Sequence, residues 1–313
     1  MAMPDSTYDA VIVGGGIAGL SAAIHAGRSG LRCLLVERMM PGGQIFNATH
    51  IENMPGVAEP LSGVELSERL HDQAAGAGVE IALSEVIGLE PVGPHWLVRK
   101  YDGDVRSKTV IIAAGSSFKK LGLDREDDLY GSGISNCASC DGPLFNDQVV
   151  GVVGGGDSAL DEALALTEFA SKVILFHCDA ELDSQTVLQQ RVQSDPKIDL
   201  RPNIEVTALL GDTTLEAVST RHTESGETSQ VDLAGLFIFV GLQPNTGFLD
   251  GVVPLDNAGH VETDIWMRTP AKGIFAVGDI RQDSAALLAS SAGDGATAAV
   301  AAKRYIDAGH WSE

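Results

Sequence analysis

Residues 9–26 read DAVIVGGGIAGLSAAIHA, and residues 149–166 read VVGVVGGGDSALDEALAL. Each stretch opens on a short apolar run, passes through three consecutive glycines, and continues into an Ala- and Leu-rich segment without proline. The valine-rich runs favour strands, and the segments after the glycines favour helices. Strand, glycine turn and helix together open a doubly wound nucleotide-binding unit. The pattern occurs twice, so the chain is expected to be an α/β protein with two doubly wound, Rossmann-like dinucleotide-binding domains.

In the first unit, Gly14, Gly16 and Gly19 complete G-x-G-x-x-G. The first glycine permits the tight turn, the second lets a pyrophosphate approach the backbone, and the third lets the helix pack on the sheet. The helix N-terminus then offers N–H groups to phosphate. Glu37 ends the next strand, where a carboxylate can hold ribose hydroxyls. In the second unit Gly154, Gly156 and Ala159 take the same places, with Asp157 and Ser158 opening the helix. A second dinucleotide is the natural reading there; an inherited fold with a decayed ligand site is the alternative. Further elements are expected as helices at about 17–29, 63–76 and 293–308. Strands are expected at 31–37, 79–83, 96–101, 108–113, 173–176 and 274–277, with hairpins between Lys197 and Ala234.

The chain has 313 residues, enough for about two domains. Hydrophobic residues make up 44% and charged residues 20%, a folded rather than a disordered composition. No run of about 18 apolar residues occurs, so no transmembrane helix is expected. The opening MAMPDSTYD lacks a basic start and an apolar core, so secretion is not expected and a cytoplasmic location is. Acidic residues number 43 against 21 basic, a net charge of −22 that argues against nucleic acid or an anionic membrane as partner.

Four cysteines are too few for a disulfide scaffold. Cys137 and Cys140 form C-A-S-C, a spacing that closes a small redox disulfide and stabilises a thiolate. A zinc site would need two further ligands, and no second C-x-x-C occurs, so no metal is expected. Asp141 follows the pair and is placed to move protons to or from a thiolate. Cys33 and Cys178 sit at apolar strand ends and are expected to be buried thiols.

These motifs, in order, resemble the low-molecular-weight thioredoxin reductases, flavoprotein disulfide reductases. The resemblance spans nearly the whole chain. It includes Gly42-Gly43-Gln44, Glu52-Asn53-Met54-Pro55-Gly56, Ala113-Ala114-Gly115, the C-A-S-C-D-G run, Gly154 to Ala163, Gly241 to Thr246, Ala276 to Asp279 and Ala292 to Gly295. It implies a discontinuous FAD domain (residues 1–117 and 245–313) around an inserted NAD(P)-type domain (118–244) that carries the redox pair. Gly14, Gly16, Ala18, Gly19 and Glu37 would serve the adenosine half of FAD. Gly43, Gln44, Asn53 and Ala114 would lie along the cofactor, and Gly278 with Asp279 at the ribityl chain. A helix starting near Gly293 would aim its N-terminus at the flavin. Cys140 would face the flavin and Cys137 would exchange with a thioredoxin-type dithiol partner. A homodimer whose inserted domain rotates is also implied.

The chain departs from that pattern in places. Where NADPH-using members carry arginines for the 2′-phosphate, it reads His177-Cys178-Asp179-Ala180-Glu181-Leu182-Asp183, and no Lys or Arg occurs from Cys178 to Gln190. Aspartate there repels a phosphate dianion. The expected electron donor is therefore not NADPH but NADH, with Asp179 on the free ribose 2′-OH, or a ferredoxin-type protein. Ala286 and Leu287 replace an Arg-Gln pair beside the flavin, while Arg281-Gln282 fall out of register. Trp311, near the end, is a candidate flavin-stacking residue. Two other functions fit the same motifs: a flavin dithiol oxidase that uses O2 to form a disulfide in a small molecule, and a redox-inactive nucleotide-binding interaction protein.

Overall fold

Strand β1 (Thr7–Val13) sends Ala10 and Ile12 into one apolar cluster and Val11 and Val13 into another. The period of two is that of a pleated strand, and burial on both faces means that layers cover the sheet on each side. The structure, a computed structural model, describes residues 7–309. His310 and Trp311 therefore lie outside the described residues.

After β1 come α1 (Ile17–Arg28), β2 (Cys33–Glu37), α2 (Gly63–Gly76), β3 (Glu80–Leu83), β4 (Val86–Val92), β5 (His95–Lys100), β6 (Val105–Ile112) and β7 (Ser116–Phe118). Next are α3 (Glu126–Leu129), β8 (Ile134–Ser135), α4 (Ala138–Asp141), β9 (Val149–Val153), α5 (Asp157–Leu166), β10 (Lys172–Phe176), α6 (Thr186–Ser194) and β11 (Ile198–Arg201). Then follow β12 (Ile204–Leu210), β13 (Ala217–His222), β14 (Thr228–Asp232), β15 (Gly235–Ile238), β16 (Leu242–Pro244), β17 (Ile274–Ala276) and α7 (Leu288–Ala308).

The chain forms two compact units. Residues up to Ser117 and from Gln243 onward make the first, and Phe118–Leu242 the second. The first holds a seven-stranded sheet in the order β3-β2-β1-β6-β5-β4, with β17 also on β6. Strand β5 pairs antiparallel with the opening of β6, and β17 pairs parallel with its end. Helices α1 and α7 cover one face, burying Leu20, Ala23, Ala298 and Ala302 among others. The second unit has an all-parallel sheet, β11-β10-β9-β15-β8, and an antiparallel one, β12-β13-β14. Helices α5 and α6 pack on one face of the parallel sheet through Leu160, Ala163 and Leu188. On its other face Ile174 and Phe176 meet Val206, Leu209 and Val218 of the antiparallel sheet. Among the described residues, no helix is long and apolar enough to cross a membrane.

Two expectations about elements are corrected. Strand β4 was not foreseen; its burial is one-sided and its sequence, VIGLEPV, carries glycine and proline. Helix α7 begins at Leu288 rather than near Gly293, so Gly293 and Gly295 lie inside it. A helical glycine costs about 1 kcal/mol against alanine. At Gly295 the packing explains it, because a Cβ there would stand 2.1 Å from the Ala18 carbonyl oxygen and 2.8 Å from the Ala22 nitrogen.

Gly295→Ala is expected to lower stability by about 1–3 kcal/mol through overpacking against α1. Gly76→Ala, on α2 with open space around it, is expected to leave stability unchanged or raise it by up to about 1 kcal/mol. Denaturant midpoints of the two variants measure the contrast, and equal midpoints would show that α1 and α7 separate without cost.

Candidate active site

The turn after β1 is backbone packed on backbone. Gly14 has φ +103°, and a Cβ on it would lie 2.4 Å from the Ala113 oxygen. A Cβ on Gly19 would lie 1.9 Å from the Gly14 oxygen. Gly16 is the opposite case: nothing stands within 4 Å of its Cβ position, and no side chain caps the start of α1 there. Across this opening Gly43 approaches, its Cβ position 3.2 Å from the Gly16 Cα. An uncapped helix start facing open space between two glycines suits a pyrophosphate. Glu37 closes the side of the turn. Its Oε2 accepts the Gly15 N–H at 2.6 Å and its Oε1 accepts the Met39 N–H at 2.9 Å. Its second lone pairs remain for ribose hydroxyls. The cradle therefore fits the adenosine diphosphate half of FAD. Ala18 is buried beneath it, beside Gly278 and Gly295.

The far end of the same unit converges on this turn. Asp279 follows β17, and burial raises its carboxyl above the usual range, against weak hydrogen bonds from Ser284 and Ser291 (both 3.4 Å). Arg281 is engaged within the unit. It forks onto the buried Asp294 of α7, Nε to Oδ2 at 2.6 Å and Nη2 to Oδ1 at 3.1 Å. Asp294 also accepts the Gly278 N–H at 3.1 Å. This ion pair ties the turn after β17 to α7, a link between positions 13 residues apart that no local pattern in the sequence signals. Ala286 and Leu287 are exposed, and Leu287 is the residue just before α7. Asp283 and Ala286 hold left-handed φ values of 56° and 50°, a strained conformation for residues other than glycine.

Gln44 is exposed, and its Nε2 donates to the Ser116 oxygen at 2.7 Å. Asn53 is exposed on a loop. Asn245, absent from the expected set, donates to the Ala114 oxygen at 2.8 Å, and its backbone N–H reaches Gly115 at 3.0 Å. It fixes the turn after β6 from 131 residues away.

In the second unit Cys137 and Cys140 form a disulfide with Cα atoms 5.3 Å apart. Cys137 precedes the short helix α4, and its Sγ accepts the Cys140 N–H at 3.2 Å and lies 3.3 Å from Ser139 Oγ. Cys140 is exposed and Cys137 half-buried, so the bond is open to exchange. Asp141 ends the same turn, half-buried. Cys33 is buried, and burial with the charge of Asp9 pushes its thiol up to about 12, an inert state. Cys178 corrects the expectation of burial: it is exposed, because the chain leaves the sheet one residue before it.

The second glycine turn repeats the first in backbone only. Gly154 has φ +145°, with a Cβ position 2.3 Å from the Phe239 oxygen and 2.8 Å from the Ala159 Cβ. Where Glu37 reaches Gly15 in the first unit, the His177 ring lies on Gly155, 2.3 Å from its Cβ position. The loop after β10 then folds back over the turn. His177 Nε2 donates to the Glu181 oxygen at 2.9 Å, and the Asp183 oxygen lies 3.7 Å from the Cβ position of Gly156. Gln185 donates to Asp157 through its backbone N–H at 2.8 Å and its side chain at 2.5 Å. Ser158 and Asp179 are exposed. Ligand atoms of His177, Cys178 and Asp179 lie within 4.8 Å of one another, and His177 Nε2 is hydrogen-bonded to the Glu181 oxygen.

A model of the pyridine nucleotide-disulphide oxidoreductase family matches residues 8–302. A thioredoxin reductase of Treponema pallidum is 38% identical over 303 residues, covering 97% of this chain and 98% of that protein. Among solved structures, the thioredoxin reductase of Lactococcus lactis superposes with a TM-score of 0.95 at 39% identity, covering 96% of this chain and all of the other. The thioredoxin reductase of T. acidophilum follows with a TM-score of 0.92 at 32% identity, covering 96% of this chain and 99% of that one. With its glycine turns and its disulfide in place, the chain belongs to the pyridine nucleotide-disulphide oxidoreductase family, as a thioredoxin-reductase-like, FAD-dependent disulfide oxidoreductase.

Proposed function

We propose that this enzyme passes two electrons between FAD and the Cys137–Cys140 disulfide, and on to thioredoxin or a similar dithiol partner, with a donor other than NADPH. The observation that carries the reading is the closed disulfide, with Cys140 exposed and the half-buried Cys137 sulfur already accepting a backbone N–H. FAD, when bound, supplies the two-electron chemistry. The chain's own residues do the rest. Gly16, Gly43 and Glu37 hold the adenosine diphosphate end, and Asp279 the ribityl end. When the Sγ–Sγ bond breaks, the two electrons leave one sulfur as thiolate and the other as thiol once a proton reaches it. Asp141 is the group assigned to bring that proton. The Cys137 thiolate then attacks the partner's disulfide, and a mixed disulfide resolves through Cys140.

The loop over the second glycine turn supports a donor other than NADPH. Asp179 and Asp183 bring negative charge to the loop beside the second glycine turn, and Arg201 at the end of the next strand is engaged with Asp199 at 2.9 Å. Gln185 holds Asp157, and the His177 ring covers Gly155. NADH, with Asp179 on its free ribose 2′-OH, or a ferredoxin-type donor suits this acidic surface better than a nucleotide carrying a 2′-phosphate.

The test is an anaerobic titration of the purified holoenzyme, followed at the visible absorption band of the oxidised flavin. NADPH is expected to leave the band unchanged on the time of turnover, while dithionite or a reduced ferredoxin bleaches it. Rapid bleaching by NADPH would sink the reading of the 178–185 loop. Asp141→Asn is expected to slow reduction of thioredoxin by about 100-fold, with FAD content unchanged. Cys137→Ser and Cys140→Ser should each bring that reduction to background, and thioredoxin reduction surviving in either would remove the pair from the reaction.

A further inference from the structure

The turn that carries the disulfide is held from behind by a carboxylate. Helix α5 packs against α4, burying Ala159, Leu160, Ala163 and Leu166 in the core and leaving Asp161 exposed. Between these, Glu162 reaches across to α4, and its Oε2 accepts the N–H of the fully buried Ala138 at 2.5 Å. Ala138 is the residue directly after Cys137. The two N–H groups at this end of the turn are thus divided. That of Cys140 goes to the Cys137 sulfur, and that of Ala138 goes to Glu162.

A glutamine would accept the same hydrogen bond without the cost of a desolvated charge. A carboxyl at this place has a property that an amide lacks: it can take up a proton. We propose that Glu162 is a positioning residue that sets the proton stoichiometry of the Cys137–Cys140 couple, holding the Ala138 N–H as a carboxylate and taking up a proton when the disulfide is reduced. The inference rests on the reading of this disulfide as the redox pair.

The electrostatics run the right way. With the disulfide closed, burial first and the charge of Asp161 second raise the Glu162 carboxyl to about 7, while the Ala138 N–H opposes them. Other ionisable groups on the elements packed around it are Asp157 on its own helix, Asp141 on the disulfide turn, Arg191 on α6 and Lys172 on β10. Of the charged residues, Asp161 is the one whose charge acts on it. Reduction by a dithiol moves two electrons onto the pair and breaks the Sγ–Sγ bond. Cys140 becomes a thiol with one proton, and Cys137, whose sulfur accepts an N–H, is left as the thiolate. That new negative charge stands beside Ala138 and disfavours a second one on Glu162. Above neutral pH, where the carboxyl is ionised in the oxidised enzyme, reduction therefore draws an additional proton from solvent onto Glu162. Below neutral pH the proton is already present in both states and the coupling vanishes.

The test measures the equilibrium of the pair in the full-length, FAD-loaded protein. The protein is poised in mixtures of reduced and oxidised dithiothreitol from about pH 6 to about pH 9. It is then quenched by alkylation, and the peptide holding Cys137 and Cys140 is weighed. That readout needs neither a donor nor thioredoxin. From about pH 7 upward, the wild-type equilibrium constant is expected to change up to tenfold more per pH unit than that of Glu162→Gln, about 30 mV for a two-electron couple. Asp161→Asn should keep the break and move it to lower pH, because it removes a charge that raises Glu162. Superimposable profiles for wild type and Glu162→Gln would overturn the proposal. If Glu162→Gln does not fold, a break that stays in place in Asp161→Asn would overturn it instead. A wild-type pair that never accepts two electrons from dithiothreitol would refute the redox reading itself, a result distinct from either.

Discussion

The first unit depends on backbone atoms meeting without side chains between them. Gly19 stands against the Gly14 oxygen, Gly14 against Ala113, and Gly295 against Ala18. These approaches bring the ends of β1 and β6, the start of α1 and the middle of α7 to one place. Any side chain at these points would force the helices off the sheet, since packed interiors yield little. The opening at Gly16 exists because its neighbours are so tightly packed. A rigid frame around an open, uncapped helix start is what a dinucleotide cradle requires.

The two glycine turns show how one backbone can carry two chemistries. Both begin with a strand, a left-handed glycine and a helix without a side-chain cap. What differs is the residue at the exit of the next strand, the last of β2 in one unit and the first after β10 in the other. Glu37 offers carboxylate lone pairs to the first turn, and His177 lays a ring across the second. The loop that follows then decides access. In the second unit it is short of cations and bonded back onto the turn through Gln185 and Glu181. Acidic side chains and the covering ring thus give the second turn surroundings unlike those of the first.

Conformation at the reactive elements is governed by polar contacts from distant chain segments. Arg281 and Asp294 share a buried, bidentate pair that locks the turn after β17. Asn245 holds the turn after β6, and Glu162 the turn between the cysteines. Such pairs are weak evidence for stability, because desolvation offsets much of their attraction. Their effect is specificity of geometry, which a redox site and a cofactor cradle both need.

The amino-acid sequence by itself determined the two strand–glycine–helix units, the limits of α2, and the C-x-x-C turn with Asp141. These are local features, set within a few residues by strand periodicity, by glycine's freedom of φ and by thiol spacing. Only the tertiary structure decided where α7 begins. A glycine reads as a breaker until α1 is seen packed against Gly295. Tertiary structure also exposed Cys178, turned Arg281 toward Asp294, and brought Asn245 and Glu162 onto turns far away in sequence. Those outcomes depend on which strands become neighbours and which layer covers them. No local propensity encodes that choice, because it is settled only when the hydrophobic faces of separate elements find one another.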